Sequence, residues 1–357
     1  MPKGKKILLS VKLLVIDNII MKYNCIMETK QYAPVLIPTL NRFDHFKRCI
    51  ESLEKCTGAD KTEVFVALDY PPSEKYVEGW KKIDEYLRFK ELQNAFKGLH
   101  VVRRNRNYGV CHEDDNLETL LRDVEKDFDR HIDSEDDNEF SPNFLEYINK
   151  GLEKYKDDDR IMMISGYSYP DIATMDFASN VVAFKKAACW GAGYWFDKPF
   201  TYTKMGAEKY RDSILCSWKK SIKLFFLRPI SLNSLMSMKF RNRVYGDGLM
   251  IDCLQLENKY CVFPKVSKVR NWGNDGSGVH CGIESHYESQ KIDQEMTFEY
   301  DPLLFIEKTP RGRWSKYILV DVLYKVSSPI IIAFRYIYFR LTNKDCFSFY
   351  FERGGKV

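Results

Sequence analysis

The chain has 357 residues, of which 45% are hydrophobic and 14% aromatic, and its formal net charge is +5 at pH 7. This composition excludes disordered and fibrous proteins and is enough to bury one large core or two modest ones. Acids crowd residues 114–159, whereas bases crowd residues 219–243 and the C-terminal tail. Such asymmetry favours an anionic ligand or a membrane surface as the partner and disfavours nucleic acid.

The cysteines and the N-terminus indicate the compartment. None of the ten cysteines forms a Cys-x-x-Cys pair, so buried reduced thiols in a cytosolic protein are expected, not a zinc site or disulfides. Within residues 1–31, the stretch "KKILLSVKLLVIDNIIMKYNCIM" resembles a signal peptide, but Lys12 and Asp17 interrupt the apolar run and no small-residue cleavage site follows. We interpret them as an N-terminal extension, an amphipathic lead-in or a mis-set start, because regular patterning begins at Met27.

Strand and helix patterns alternate from Met27 onward. The stretch "APVLIPTLNR" predicts a first strand, and "FDHFKRCIESLEKC" predicts a helix with Asp44 as its N-cap. "EVFVALD" and "GLHVVRRN" predict the second and third strands, with a charged helix over 74–91 between them. A helix over 114–128 and a fourth strand, "DRHIDSEDD", follow. This order indicates an α/β fold with a mostly parallel sheet covered by helices on both faces.

Polar side chains follow each predicted strand at its carboxyl end, where ligands bind to sheets of this kind. They are Thr39, Asn41 and Arg42, then Asp69, then Arg104, Arg106 and Asn107, then Glu135, Asp136 and Asp137. Carboxylates with arginines nearby fit a Mn²⁺ or Mg²⁺ ion that bridges a diphosphate, because these ions prefer oxygen ligands. The alternative is a solvated acidic run among turn-forming residues. Ser141 and Pro142 predict the start of the next helix directly after the acids.

The ordered set "VLIPTLNRFDHFKRCIESL", "VFVALD", "RRNRNYGV" and "SEDDNEFSPNFLEYINKGLEKYKDDDRIMMISGY" resembles the inverting family 2 glycosyltransferases with the GT-A, nucleotide-diphospho-sugar transferase fold. It looks most like bacterial enzymes of capsule, exopolysaccharide or lipopolysaccharide assembly, a subgroup similar in part to eukaryotic N-acetylglucosaminyltransferases that act on N-glycans. The resemblance extends over residues 32–285 and implies a Rossmann-like sheet followed by a C-terminal acceptor-side helical region.

The resemblance also implies roles for the residues at the strand ends. Asp137 would be the direct metal ligand, and Glu135 and Asp136 would reach the ribose or the metal-bound water. Asp69 would accept a hydrogen bond from the nucleobase, and Arg106 would contact the base or the diphosphate. The nucleotide would further be lined by Pro38, Thr39 and Arg42.

Three later positions extend the resemblance. The segment "AACWGAGYWFDKPF" is similar to the family's loop beneath sugar and acceptor, although a packed aromatic corner is the alternative. Asp247, at the start of a helical pattern, would be the base that deprotonates the acceptor, with Asp252 as its rival. The loop "NWGNDGSGVHC" resembles the family's closing loop, in which His280 would complete the metal site or touch the diphosphate. The sugar or acceptor would contact Trp190, Gly191, Tyr194 and Trp195.

The basic, aromatic segment 217–243 predicts a pair of packed helices, or alternatively an acceptor-side or membrane-facing surface. In the C-terminal tail, which contains "KYILVDVLYKVSSPIIIAFRYIYFRLTNK", the longest uncharged run is shorter than the ~18 to 20 residues of a spanning helix. We expect the tail to lie in the interface of an anionic membrane, the alternative being a C-terminal helix packed on the catalytic domain.

The sequence thus predicts an extension over 1–31, a nucleotide-sugar-binding part over 32–170, an acceptor and catalytic part over 171–290, and a helical tail over 291–357. The predicted activity is metal-dependent, inverting transfer of a hexose or N-acetylhexosamine from a UDP-linked nucleotide-diphospho-sugar to a glycan or lipid-linked acceptor. We expect it in the cytoplasm, at the inner face of the inner membrane. A non-catalytic nucleotide-sugar-binding scaffold is the alternative. A pyrophosphorylase is disfavoured because "PTLNRFD" lacks a glycine-rich phosphate loop.

Overall fold

The computed structural model describes residues 31–110, 115–173, 175–198, 204–241, 246–278, 290–307 and 318–346. The strands are β1 Val35–Thr39, β2 Glu63–Leu68, β3 Gly98–Arg103, β4 Arg130–Asp133, β5 Asn138–Phe140, β6 Ile161–Ser165, β7 Val181–Phe184, β8 Ala192–Trp195, β9 Tyr260–Pro264, β10 Val269–Asn271 and β11 Leu304–Phe305. The helices are α1 Phe43–Glu54, α2 Val77–Lys90, α3 Asn116–Val124, α4 Phe144–Lys154, α5 Pro170–Ala173, α6 Lys204–Leu215, α7 Trp218–Leu227, α8 Pro229–Arg241, α9 Gly246–Leu256 and α10 Ile318–Thr342.

A mostly parallel sheet forms the centre of the fold. Among the described residues it has nine strands in the order β11-β7-β9-β6-β8-β4-β1-β2-β3. β1 pairs in parallel with β2 and β4, and β2 pairs in parallel with β3. β6 and β9 share this direction, because β8 is antiparallel to both β4 and β6, whereas β7 and β11 run the opposite way. The predicted mostly parallel α/β architecture is confirmed.

Helices flank this sheet, and the period of two along each strand decides which side chains they cover. Leu36 and Ala67 pack with Leu120 and Leu121 of α3 in one apolar cluster. Val35 and Ile37 point to the other face and are fully buried as well, as are Phe46 and Ile50 of α1 and Ile83 and Leu87 of α2. Strands buried on both faces explain the continuous apolar runs in the sequence.

Three helix starts differ from the prediction. α1 begins at Phe43 with Arg42 in the N-cap position, so Asp44 lies in the first turn and is not the cap. α3 is shorter than 114–128, because the Asp115 side chain accepts from the Glu118 backbone N–H and starts the helix there. α4 begins at Phe144, two residues after Pro142, because the residues directly after the acids pair as a strand instead.

That strand is β5, which the sequence analysis did not predict. It pairs with β10 in antiparallel register, with Asn138 opposite Asn271 and Phe140 opposite Val269. Three residues are too few to show a period of two, so the pattern alone does not reveal them. The pairing places the segment that follows β10 directly beside the acidic residues after β4.

The later helices form a second packed region. Side chains of α6, α7, α8, α9 and α10 share one apolar cluster that includes Ile214, Leu224, Leu235, Leu249 and Tyr336. The predicted helix pair over 217–243 is confirmed as α7 and α8, joined at Arg228. In the described part of the chain, no helix combines the length and apolar character needed to cross a membrane.

Candidate nucleotide and metal site

The acidic residues lie at the point where the strand order of the sheet reverses. The chain runs from β1 outward through β2 to β3 and returns to form β4 on the other side of β1. The carboxyl ends of β1 and β4 are therefore neighbours, and the two connections leave in opposite directions. A crevice forms at such a position in open α/β sheets, and ligands bind in it.

Asp136 is buried at this position and is held by residues that follow β1. The Thr39 hydroxyl donates a hydrogen bond of 2.8 Å to Asp136 Oδ2, and the Arg42 guanidinium contacts Asp136 Oδ1. Burial disfavours the carboxylate and raises the pKa of Asp136, although Arg42 acts in the opposite direction. A nearby cation offsets the cost of burying a carboxylate, so Arg42 compensates the charge of Asp136.

Arg42 also reaches Asp137, with Nη1 at 2.7 Å from Asp137 Oδ2. Burial disfavours the guanidinium charge, but the two carboxylates outweigh it and raise the pKa of Arg42 above its ordinary value. One guanidinium therefore bridges two adjacent buried carboxylates. In this structure the negative charge of Asp136 and Asp137 is therefore compensated by a guanidinium of the protein itself.

The loop after β10 closes over Asp137. Asn271 Nδ2 donates a hydrogen bond of 2.6 Å to Asp137 Oδ1, and the Trp272 backbone N–H donates to the Asp137 carbonyl at 2.9 Å. A Cβ atom added to Gly273 would lie 2.1 Å from Asp137 Oδ2. Only glycine permits this close approach, so the loop and the carboxylate fit each other.

The same loop contacts two further acids and the first helix. Asn271 Nδ2 lies 3.3 Å from Glu135 Oε2, and Trp272 Nε1 donates to Glu139 at 2.8 Å. Farther along, Asp275 Oδ2 is 2.9 Å from His45 Nε2 of α1. Residues 271–278 are thus fixed on both sides of the crevice, from β5 and from α1.

Asp69 holds a turn instead of pointing to an open space. Its carboxylate accepts hydrogen bonds from the backbone N–H groups of Tyr70, Tyr108 and Gly109 at 2.8 to 2.9 Å and from Asn107 Nδ2 at 3.0 Å. Gly109 has φ +61°, a conformation that favours glycine. Asp69 therefore shapes the loop after β3, and base recognition by this carboxylate stays a prediction.

The arginines after β3 gather on one aromatic ring. Arg104 and Arg106 each place the guanidinium carbon 4.8 Å from the centre of the Tyr108 ring. Arg104 also donates to Asn116 Oδ1 at 2.9 Å and to Thr119 at 2.5 Å, which ties it to α3. Arg106 is exposed and Arg104 is half-buried, so Arg106 is the more accessible of the two to solvent.

The residues expected beneath sugar and acceptor lie mainly in the core. Tyr194 and Trp195 belong to β8 and are buried, Tyr194 against His131 and Trp195 with its Nε1 donating to the Leu152 carbonyl. Trp190 is half-buried, with its ring edge-on to Tyr167, and Gly191 accepts from the Gly166 N–H. Tyr194 and Trp195 thus pack as a buried aromatic corner, the alternative to a sugar-binding loop. Trp190 is the most accessible of the three aromatic rings.

The two candidate bases share α9. Asp247 lies in its first turn, as predicted, and its side chain is outside the described residues, as is all of His280. Asp252 is buried, with Oδ1 2.7 Å from Arg228 Nη1. Burial raises the pKa of Asp252 to about 6, against the lowering effects of Ser231 and Arg228. Asp252 thus contributes to the packing of α9 against the connection between α7 and α8.

The acidic pair fits a hard divalent ion that is shared with a substrate. Within the described residues, no group of three or more His, Cys, Asp and Glu side chains is arranged to hold a metal alone. Two adjacent buried carboxylates that already bind a guanidinium supply oxygen donors and negative charge. Mg²⁺ and similar ions use one or two carboxylates and complete their shell with phosphate oxygens and water. Asp136 and Asp137 would hold the ion.

Comparisons with known proteins give distant structural neighbours. No family model and no curated protein sequence matches the chain. Among solved structures, a mannosyltransferase, PcManGT from Pyrobaculum calidifontis in complex with GDP-Man and Mn²⁺, is similar at 14% identity with a TM-score of 0.34, over 52% of each chain. S. aureus TarS 1–349 is similar at 15% identity with a TM-score of 0.33, over 51% of this chain and 49% of that one. The chain thus spans about half the length of these neighbours.

Proposed function

We propose that the chain is a metal-dependent glycosyltransferase of the GT-A, family 2 type, which transfers a sugar from a nucleotide-diphospho-sugar with inversion. The observation that carries this proposal is the buried pair of Asp136 and Asp137, bridged by Arg42 at the switch point of the sheet. A buried cation site beside a basic residue suits a diphosphate with its counterion. The acidic run is therefore more than a solvated surface.

The residues divide the work in this proposal. The divalent ion, when bound, would neutralise charge on the departing diphosphate. Asp137 and Asp136 would hold that cation, and Arg42, which now pairs with both carboxylates, would turn to the diphosphate, whose oxygens match a guanidinium well. Asn271 and Gly273 keep the Asp137 carboxylate in place from the side of the loop. Asp247 takes the proton from the acceptor hydroxyl.

The remaining assignments are finer parts of the same proposal. Thr39, Pro38 and Asp69 line the nucleotide, Arg106 contacts the base or diphosphate, Glu135 reaches the ribose, and Trp190 and Gly191 border the sugar. The donor is UDP-linked, and the acceptor is a glycan or a lipid-linked glycan in the assembly of a bacterial surface polysaccharide. The protein acts in the cytoplasm, at the inner face of the membrane.

Release of nucleoside diphosphate from a panel of nucleotide sugars tests the proposal. We expect release from one donor with Mn²⁺, and its loss when a chelator is added. The anomeric configuration of the product, read by NMR, tests inversion. Tight binding of a nucleotide sugar without any release in the presence of acceptors would favour the non-catalytic scaffold, and no binding of any donor would contradict both.

A further inference from the structure

The outer side of α7 carries large apolar side chains in contact with solvent. Trp218, Ile222 and Phe226 are 46%, 51% and 79% exposed and follow each other at intervals of four residues. That spacing places them on one side of the helix, while Ser221 and Leu224 face the core. Leu227 and Ile230 are exposed directly after them. We call these five residues the α7 strip.

The neighbouring helix α10 exposes a second apolar row. Its exposed members are Ile330, Ile331, Phe334, Ile337 and Leu341. The opposite side of α10 is packed, with Ile332, Tyr336 and Phe339 in the core of the helical region. The two helices touch at Trp218, whose ring lies 5.3 Å from the Tyr336 ring and 4.8 Å from the Arg340 guanidinium. Exposed apolar area of this extent marks an interaction surface.

The charged residues of the segment that contains the α7 strip are all basic. Residues 217–241 contain no Asp or Glu but hold six basic residues, namely Lys219, Lys220, Lys223, Arg228, Lys239 and Arg241. Three of the six face an acid of another segment: Lys220 pairs with Glu257, Arg228 with Asp252 and Lys239 with Asp212. Lys219 is exposed on the outer side of α7, and Lys223, which is also exposed, donates to the Leu256 carbonyl at 2.6 Å. The surface thus keeps an excess of positive charge.

We propose that the α7 strip docks on an anionic lipid bilayer. A helix with Trp, Phe and Ile interleaved with lysines suits the bilayer interface, where apolar groups enter the acyl boundary and bases meet anionic headgroups. Protein interfaces are depleted of lysine at their cores, so lysines interleaved with these apolar residues favour the bilayer over a protein partner. The inference rests on the proposed function only in that a docked enzyme would meet a lipid-linked acceptor.

Co-sedimentation of the full chain with vesicles tests this surface without any sugar transfer. The vesicles contain equal parts of phosphatidylglycerol and phosphatidylcholine, and pure phosphatidylcholine vesicles serve for comparison. We expect binding to the anionic vesicles that weakens with salt, because screening reduces the attraction of the bases. The double variant Ile222→Gln and Phe226→Gln should bind at least ~10-fold more weakly, since it loses two buried apolar groups of the interface.

The matched control replaces equally exposed apolar residues elsewhere, Phe89→Gln and Leu92→Gln at the end of α2. This control should bind vesicles as the parent chain does. Circular dichroism confirms that both variants are folded, and donor turnover in solution should stay unchanged in both. Failure of turnover in the parent chain would therefore bear on the proposed function alone.

Three outcomes would overturn the proposal. Equal vesicle binding by the parent chain and the α7 variant would assign binding to another part of the chain, and absence of binding at low salt would remove the bilayer as the partner. Analytical ultracentrifugation of the same samples tests whether a second copy of the chain covers the α7 strip instead. If the parent chain self-associates and the α7 variant does not, the strip is an interface between two copies of the chain.

Discussion

The crevice at the ends of β1 and β4 and the helical region of α6 to α10 use charge in opposite ways. In the crevice, Asp136 and Asp137 are buried, and one guanidinium serves both of them. In the helical region the buried side is mainly apolar, and the lysines of α7 lie on its outer side among exposed apolar residues. The first region concentrates charge inside the protein, and the second keeps charge and apolar groups at its surface.

The difference indicates where each region finds its ligand. Excess buried carboxylate is costly unless a cation compensates it, so the crevice is suited to a metal and a diphosphate. Exposed apolar groups are costly in water and become favourable when a partner covers them, so the helical region is suited to a bilayer. Asp252 and the ion pair of Arg335 with Asp345 are exceptions, because they are buried charges within the helical region.

The largest effect on turnover is expected from the candidate base. Asp247→Asn should lower kcat by about 10²- to 10⁴-fold, the usual contribution of a positioned base, and leave donor affinity nearly unchanged. Asp252→Asn is the matched control on the same helix, because Asp252 pairs with Arg228. Steady-state kinetics with a fixed acceptor provide both values. A large loss of kcat in Asp252→Asn, with Asp247→Asn unaffected, would exchange the two assignments.

A smaller effect is expected from the loop over Asp137. Gly273→Ala should lower turnover and destabilise the fold by about 1 to 3 kcal/mol, because the new Cβ overlaps Asp137 Oδ2 and overpacking costs this much. Gly248→Ala in α9 is the control, since its Cβ would lie 4.0 Å from the nearest side chain, Met238. Alanine favours helix over glycine by up to ~1 kcal/mol, so this control should be at least as stable as the parent. Chemical denaturation measures both.

The smallest effect on turnover and a clear effect on stability are expected from Asp252. Burial raises the pKa of Asp252 to about 6, so the folded state holds its proton more firmly than the unfolded chain does. Stability from this group is complete below pH 4 and is lost as the pH rises through 6, by at most about 3 kcal/mol. Asp252→Asn should flatten this decline in urea unfolding between pH 4 and 7. An identical decline in both proteins would mean that another group titrates.

The sheet and the positions of its polar strand ends are predictable from the sequence, because continuous apolar runs and helical spacing are local patterns. The four strand-end groups do follow β1 to β4, and the acids do meet Arg42. Helix starts are less predictable. Arg42 in the N-cap position of α1 and the short strand β5 depend on pairing with distant residues, which a local pattern does not contain.

The side chains that hold the acids illustrate the same limit. Asn271 and Gly273 contact Asp137 across about 130 positions of sequence, and only the pairing of β5 with β10 brings them together. The glycine-rich stretch "NWGNDGSGVHC" indicates a loop, but the sequence does not indicate which of its residues contacts Asp137. Tyr194 and Trp195 are the converse case, since aromatic residues in a segment suspected of sugar binding also suit a buried strand.

The most direct test of the proposed metal site is Mn²⁺ binding to Asp136 and Asp137, measured by electron paramagnetic resonance with and without a nucleoside diphosphate. We expect tight binding of Mn²⁺ only when the diphosphate is present, because Arg42 otherwise occupies both carboxylates. In Asp137→Asn, this binding should weaken by at least ~10-fold, since a charged ligand is lost. Glu139→Gln, which alters a neighbouring acid outside the pair, should bind as the parent does. Equal Mn²⁺ binding by the parent and Asp137→Asn would contradict the assignment.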